Sequence, residues 1–475
     1  MDALNDTTAA LSGNEQRNAV IARAEHYFDN GDFLKDLTRL VSIRSESQDP
    51  SKSAHLLEYL RDAVEPLLRE MAFESEIFDN PLPGGAPLLV ASRIEDPLLK
   101  TVLIYGHGDV CNPQEGAWRE GLSPFDIVVE GDRIYGRGTA DNKVQHLINL
   151  RALGFLLAEN GRLGFNVKVV VEMSEETGSL GLREFFHAHR HLLRSDVLIA
   201  SDGPRLQADT ATVFMGSRAA VNFDLVADFR EGAYHSGNFG GLISDPAIVL
   251  LHAISSITDV RGQIRIPEWR PTSLTDDVRG AVADLPMGSD GPPVEENWGE
   301  EGLTPAERAF GWNSFAVLAM HSGVPECPLN AIAGSGRATC QLRYVVGTDP
   351  GDIVPALRRY LDAGGFERIE IRANKDDIFP ATRVSPDHPW VRLVTGSLER
   401  TEGRKPHILP NLAGSLPNDA FSDILGLPTI WVPHSYGGCC QHAPNEHVLG
   451  SLSRSALRNM AGIFADISDS DVPDK

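Results

Sequence analysis

Two glutamates stand side by side at Glu175 and Glu176, in the stretch MSEETG that follows the apolar run NVKVVVE (Asn166 to Glu172). Adjacent carboxylates repel, and the end of a strand is a poor place to bury charge unless a strong cation faces it. Other acids and imidazoles occupy comparable places. TVLIYGHGDV carries His107 and Asp109, YGRGTADNKVQ carries Asp141 at the start of a helical stretch, IASDG carries Asp202, and GGCCQHAPNE carries His442. Singly each has a plain alternative: Asp141 as a helix cap, Asp202 as a turn residue, His442 as a surface-loop histidine. Jointly they form a nitrogen/oxygen set suited to borderline divalent metals, with zinc the first candidate and manganese or cobalt behind it.

A pair of metals about 3.5–4 Å apart needs a shared carboxylate, plus one histidine and one acid for each ion. The inventory divides that way: Asp141 shared, His107 and Asp202 on one metal, Glu176 and His442 on the other. Glu175 remains over, placed to take the proton of a metal-bound water whose pKa has fallen to about 7. The metals would then polarise a substrate carbonyl and stabilise the oxyanion. Asp109, two residues past His107, shares its face in an extended segment and is expected to orient the imidazole or to position Glu175.

The segments that must deliver these groups alternate in type. APLLVASRI, TVLIYGH, FNVKVVVEM and SDVLIASDG read as strands, and KVQHLINLRALGFLLAENG reads as a helix between them. This order predicts an α/β sheet with crossover helices, whose ligands gather at the carboxyl ends of strands. HYFDNGDFLKDLTRLVSI and SAHLLEYLRDAVEPLLREMAF read as one helix each. From about Ala211 the texture changes. TVFMGSRAAVNFDLVADF reads as one long strand, followed by a helix in SDPAIVLLHAISSI, a strand in ATCQLRYVV, a helix in PGDIVPALRRYLDAGG and a strand in RIEIRANKDD. After Thr382 the first pattern returns, with HPWVRLVTGSLERT and SLSRSALRNMAGIFADI as helices around the strand LGLPTIWVP. The expected organisation is a catalytic domain over residues 1–210 and 383–475, with a central mixed sheet flanked by helices, and an inserted α+β domain over 211–382.

The 475 residues carry 43 basic and 66 acidic side chains, a net charge of −23. That balance argues against nucleic-acid backbones and anionic membrane surfaces as partners. No apolar run approaches the roughly 18 residues of a membrane span, and the N-terminal stretch lacks a secretory pattern. Five cysteines without CxxC spacing make a disulfide framework or a cysteine zinc knot improbable, and a cytoplasmic location is expected. No GxSxG elbow, P-loop or dinucleotide fingerprint is present.

Taken together, GHGDV, GRGTADNKV, SEETGSLG, SDG and QHAPNE resemble, in order, the motifs of a co-catalytic zinc metallopeptidase family. That family includes cytosolic nonspecific dipeptidase (carnosinase), aminoacylase-1, succinyl-diaminopimelate desuccinylase and bacterial glutamate carboxypeptidase. AYHSGNFGG is similar to a motif of its dipeptidase branch, whereas His442-Ala-Pro-Asn-Glu446 departs from the His-Ser-Gln-Asn-Glu common there. The resemblance implies metal ligands at His107, Asp141, Glu176, Asp202 and His442, a general base at Glu175, support from Asp109, and a cis peptide after Asp141. It further implies that the inserted domain is a lid and dimerisation domain, and that His235 reaches the partner subunit's active site to stabilise the oxyanion. By the same resemblance Arg343 grips a substrate carboxylate, Gly414 and Ser415 donate hydrogen bonds to it, and Asn330 is a further lid contact. The expected activity is amide hydrolysis in small carboxylate-bearing substrates, by attack of a metal-bridging water in a homodimer. N-acyl-amino-acid deacylation, carbamoyl hydrolysis and a noncatalytic binding role are the alternatives.

Overall fold

The computed structural model describes residues 13–288, 292–373 and 379–470. The end of the expected strand RIEIRANKDD, from Asn374 on, and the first twelve residues lie outside these ranges. The chain divides into two compact units. One holds the residues up to Phe214, Asp387–Ile408 and those from Ala420 on; the other holds Met215–Pro386 and Leu409–Asp419.

The first unit is built on an eight-stranded mixed sheet in the order Glu74–Phe78, Leu88–Arg93, Asn166–Glu172, Thr101–His107, Val197–Ala200, Thr429–Trp431, Thr212–Phe214 and His407–Leu409. Its four inner strands, from Asn166–Glu172 to Thr429–Trp431, run parallel. Their Val, Ile and Leu runs are almost entirely buried, as a parallel sheet covered on both faces requires. Thr101–His107 lies between Asn166–Glu172 on one side and Val197–Ala200 on the other. The chain therefore leaves the central strand first to one side and then to the other, which opens a crevice at the carboxyl ends. His107 ends the central strand opposite Glu172, Glu175 and Glu176 follow one neighbour, and Asp202 follows the other. The crossover helix Lys143–Asn160 starts two residues after Asp141 and buries most of its first three turns.

The second unit is a four-stranded antiparallel sheet in the order Ser314–Ser322, Ser335–Tyr344, Ala219–Asp228 and Glu370–Ala373. Alternate residues Val221, Phe223 and Leu225 face a core shared with Leu250, Ala253 and Ile257 of helix Pro246–Ile257, and with Leu357 and Leu361 of helix Ile353–Ala363. Asp245 caps the first of these helices by accepting from the Ala247 and Ile248 amides, and Pro246 supplies a pre-set first turn.

The α/β class holds, and three local expectations are corrected. HYFDNGDFLKDLTRLVSI is two helices, Gly13–Asp29 and Asp32–Ser42, separated by a turn at Gly31 with φ 87°. SAHLLEYLRDAVEPLLREMAF contains a π-helical segment, Tyr59–Val64, where the Glu65 amide reaches back to Leu60 O; Pro66 follows and has no amide to offer a regular ladder. The supposed long strand from Thr212 is two strands in different sheets, Thr212–Phe214 and Ala219–Asp228. Between them Gly216 passes so close to the backbone that a Cβ there would lie 2.1 Å from Thr382 O. SFAVLAMHS, whose apolar run has no period and drew no assignment from sequence, forms the edge strand Ser314–Ser322.

The approach to the sheet end is tight. A Cβ on Gly108 would meet the Tyr59 ring at 2.4 Å and Met173 Sδ at 2.8 Å. Gly108→Ala should therefore lower stability by about 1–3 kcal/mol through overpacking, read as a lower denaturation midpoint; an unchanged midpoint would contradict this packing.

Candidate metal centre

Asp141 occupies the middle of the crevice. Its Oδ1 lies 3.0 Å from His107 Nε2 and its Oδ2 lies 2.9 Å from His442 Nε2, so one carboxylate spans two imidazoles. Asp202 Oδ2 lies 3.6 Å from His107 Nε2, and Glu176 Oε2 lies 3.1 Å from His442 Nε2. Glu175 Oε2 stands 3.9 Å from His107 Nε2, outside both pairs. The Asp141–Asn142 peptide is cis.

Asp109, fully buried, contacts both the imidazole and the acidic turn. Its backbone oxygen lies 3.1 Å from His107 Nδ1, and its carboxylate accepts from the Glu175 amide at 3.2 Å, the Glu176 amide at 3.1 Å and the Ser47 hydroxyl at 2.6 Å. Those amides begin the short 3-10 turn Glu175–Thr177, where the first N–H groups have no partner within the turn and suit an anion. One carboxylate thus fixes the turn that carries the two glutamates.

Protonation follows from burial and charge. Burial depresses the His107 imidazole, but hydrogen bonds with Asp109 and Asp141 and the charges of Glu175 and Asp141 outweigh it and hold its pKa well above the usual value. Burial alone would raise Asp141, yet His107 and His442 hold it far below the carboxylate range. Burial and the Asp141 charge push Asp202 up to about 7 and raise Glu176. Burial likewise lifts Glu175 well above the usual range. Hydrogen bonds with Asp141 and Glu176 push His442 up to about 11.

These groups fit divalent cations. Asp202 Oδ2 is buried and accepts no hydrogen bond. Asp141, Glu175, Glu176 and Asp202 outnumber the imidazoles facing them, and such an excess of buried negative charge persists only with protons or cations to offset it. His107, Asp141 and Asp202 could hold one ion, and Glu176 and His442, together with Cys111, could hold a second.

The remaining candidates lie in the second unit. His235 ends the short strand Tyr234–His235 and pairs with Ala331, next to Asn330, whose carbonyl accepts from the Ser236 amide at 2.9 Å. His235 and Asn330 are both exposed. Arg343 is half-buried on Ser335–Tyr344, paired with Ala220 and Ser314. Gly414 and Ser415 are half-buried in the segment Leu409–Asp419.

Several contributors had no assignment from sequence. Glu446 is fully buried: Oε1 accepts from the amides of Gly138 at 3.0 Å, Ala140 at 2.9 Å and Asp141 at 3.1 Å, while Oε2 pairs with Arg137 at 2.7 Å. It clamps the loop that presents Asp141. Gln441 donates to Asp141 Oδ2 at 2.5 Å. His434 is buried, with its amide donating to Gln145 and its Nε2 lying 2.9 Å from Ser201 Oγ. The trace of these partners in the sequence is that Arg137 lies inside the quoted GRGTAD stretch and Gln441 and Glu446 lie inside QHAPNE.

Known proteins share this arrangement of chain. A Cys-Gly metallodipeptidase of Candida albicans is 28% identical over 472 residues, covering 90% of this chain and 93% of its own. A cysteinylglycine-S-conjugate dipeptidase of Corynebacterium striatum is 34% identical over 238 residues, 49% of this chain and 50% of its own. A beta-Ala-His dipeptidase of Mus musculus is 30% identical over 256 residues, 51% of this chain and 52% of its own. The match thus spans about half the length of several of these curated relatives. The solved di-peptidase Dug1p of Saccharomyces cerevisiae shares the fold with a TM-score of 0.76 at 20% identity, covering 97% of this chain and 100% of its own. Human carnosine dipeptidase 1 does so at 0.74 and 19%, covering 95% and 99%. Residues 103–469 match the pattern of peptidase family M20/M25/M40, and the chain belongs to that family.

Proposed function

We propose that the chain is a metal-dependent dipeptidase or carboxypeptidase that cleaves amide bonds in small substrates bearing a free carboxylate. The observation that carries this reading is the Asp141 carboxylate set between two imidazoles, with an acid beside each and Glu175 in neither pair. His107, Asp141 and Asp202 would hold one ion, and Asp141, Glu176 and His442 the other, with zinc ahead of manganese and cobalt. Bound divalent cations supply Lewis acidity, making water acidic enough to lose a proton near neutral pH and polarising a carbonyl.

The chain's own groups do the rest. Glu175, whose carboxylate is made more basic by burial, takes a proton from the attacking water and returns it to the departing amine nitrogen. Asp109 holds the Glu175 turn through its amides and keeps the base in reach of the reacting atoms. His235 donates to the developing oxyanion of the partner subunit. Arg343 grips the substrate carboxylate with its planar fork, Gly414 and Ser415 donate to it, and Asn330 adds a lid contact. The names of the relatives, Cys-Gly and beta-Ala-His dipeptidases, support dipeptides over N-acyl or carbamoyl amino acids.

In this reading residues 211–382 act as lid and dimerisation domain, and the protein works as a homodimer in the cytoplasm. The edge strand Ser314–Ser322 exposes Val317, Leu318 and Met320, and helix Pro246–Ile257 exposes Ile248 and Leu251. An unpaired apolar edge of this kind supports pairing with a second copy. All five cysteines are free thiols, which suits a reducing compartment. No described helix is long and apolar enough to cross a membrane.

The test is hydrolysis of a panel of dipeptides and N-acyl amino acids by protein stripped with a chelator and reloaded with zinc or manganese. Glu175→Gln should lower kcat by about 10²–10⁴-fold while elemental analysis finds the same metal content as in the unmodified protein. Full turnover in this variant would remove the base. His235→Ala should lower kcat by about 10²–10³-fold in a protein that still sediments as a dimer; unchanged kinetics would exclude its role across the interface.

A further inference from the structure

Cys111 takes no part in the reaction outlined above, yet its thiol lies in the crevice. In GHGDVC it falls two residues past Asp109 and four past His107. Val110, next to it, is fully buried, and its amide is tied to Ser45 O at 2.9 Å. The Cys111 amide donates to Glu176 Oε1 at 3.2 Å. Its Sγ, a Glu176 carboxylate oxygen and a His442 ring nitrogen all lie within 4.8 Å of one another, the separation expected of atoms around a common cation. The sulfur's single hydrogen-bond contact is a long 3.9 Å approach to Asn112 O. A buried cysteine usually acts as a small hydrophobe among hydrocarbon, but this one faces a carboxylate and an imidazole.

We propose that Cys111 is a sulfur ligand of the cation held by Asp141, Glu176 and His442, and that it makes this site thiophilic. As the sulfur–cation bond forms, the S–H proton leaves to solvent and the thiolate lone pair fills the bond. The two sites then differ in chemistry. His107, Asp141 and Asp202 offer nitrogen and oxygen only, whereas the second site offers nitrogen, oxygen and sulfur and prefers zinc or cadmium to manganese. The inference rests on the dinuclear reading proposed above, and the test separates the two.

Full-length protein stripped of metal is titrated with cobalt(II). The account expects two ions per chain and, as the second site fills, a near-ultraviolet thiolate-to-cobalt charge-transfer band. Cys111→Ser should still bind both ions but lose the band, and its affinity for cadmium relative to manganese should fall about 10–100-fold. Binding of both ions by the unmodified protein without the band, or retention of the band in Cys111→Ser, overturns the cysteine assignment alone. Failure of cobalt to bind at all overturns the dinuclear centre and this inference with it. Should the serine variant not fold, cobalt X-ray absorption on the unmodified protein decides: a sulfur neighbour supports the assignment, and nitrogen and oxygen neighbours alone refute it.

Discussion

Everything about this crevice follows from the concentration of negative charge around one buried carboxylate. Asp141 touches an imidazole with each oxygen, and Asp202, Glu175 and Glu176 crowd the same space. Ionised carboxylates at such separations cannot coexist in a low-dielectric site without compensation. Protons provide part of it, as the raised pKa values of Asp202, Glu175, Glu176 and both histidines indicate. Divalent cations would provide more charge per site, and the partnerless Asp202 Oδ2 is left aimed where one would sit.

The scaffold keeps that arrangement from relaxing. His107 ends one parallel strand of the mixed sheet, and the Glu175–Glu176 turn and Asp202 follow its two neighbours, so their spacing is set by strand spacing rather than by loop flexibility. Asp109 and Glu446 act as internal anchors: each accepts backbone amides from the loop that presents an acid, one for the glutamate turn and the other for Asp141. Each anchor satisfies buried N–H groups that would otherwise be costly to leave unpaired. Arg137 pairs with Glu446 so that the second anchor does not add net charge.

Much of this is legible in the sequence, for specific reasons. Buried parallel strands announce themselves as runs such as NVKVVVE and TVLIYGH, and polar residues directly after them can only lie at a sheet edge. Asp141 was legible because a helix pattern follows it. Glu446 and Gln441 were not, because they arrive on a loop in which Cys440, His442 and Asn445 adopt positive φ, a course no period encodes. Cys111 lay in plain view within GHGDVC, but a lone thiol without CxxC spacing carries little weight until its neighbours are known. The break at Gly216 depended on a contact with Thr382, far away in sequence, and SFAVLAMHS had apolar residues without alternation. His235, Asn330, Arg343, Gly414 and Ser415 belong to the other unit, and resemblance alone singled them out.

The sharpest test concerns the shared carboxylate. Elemental analysis of the purified protein and of Asp141→Asn, both equilibrated with zinc and then desalted, counts bound ions directly. Two ions per chain in the unmodified protein and loss of both in the variant are expected, because each site would forfeit the oxygen it draws from Asp141. An Asp141→Asn protein that folds and retains the full complement would contradict the account.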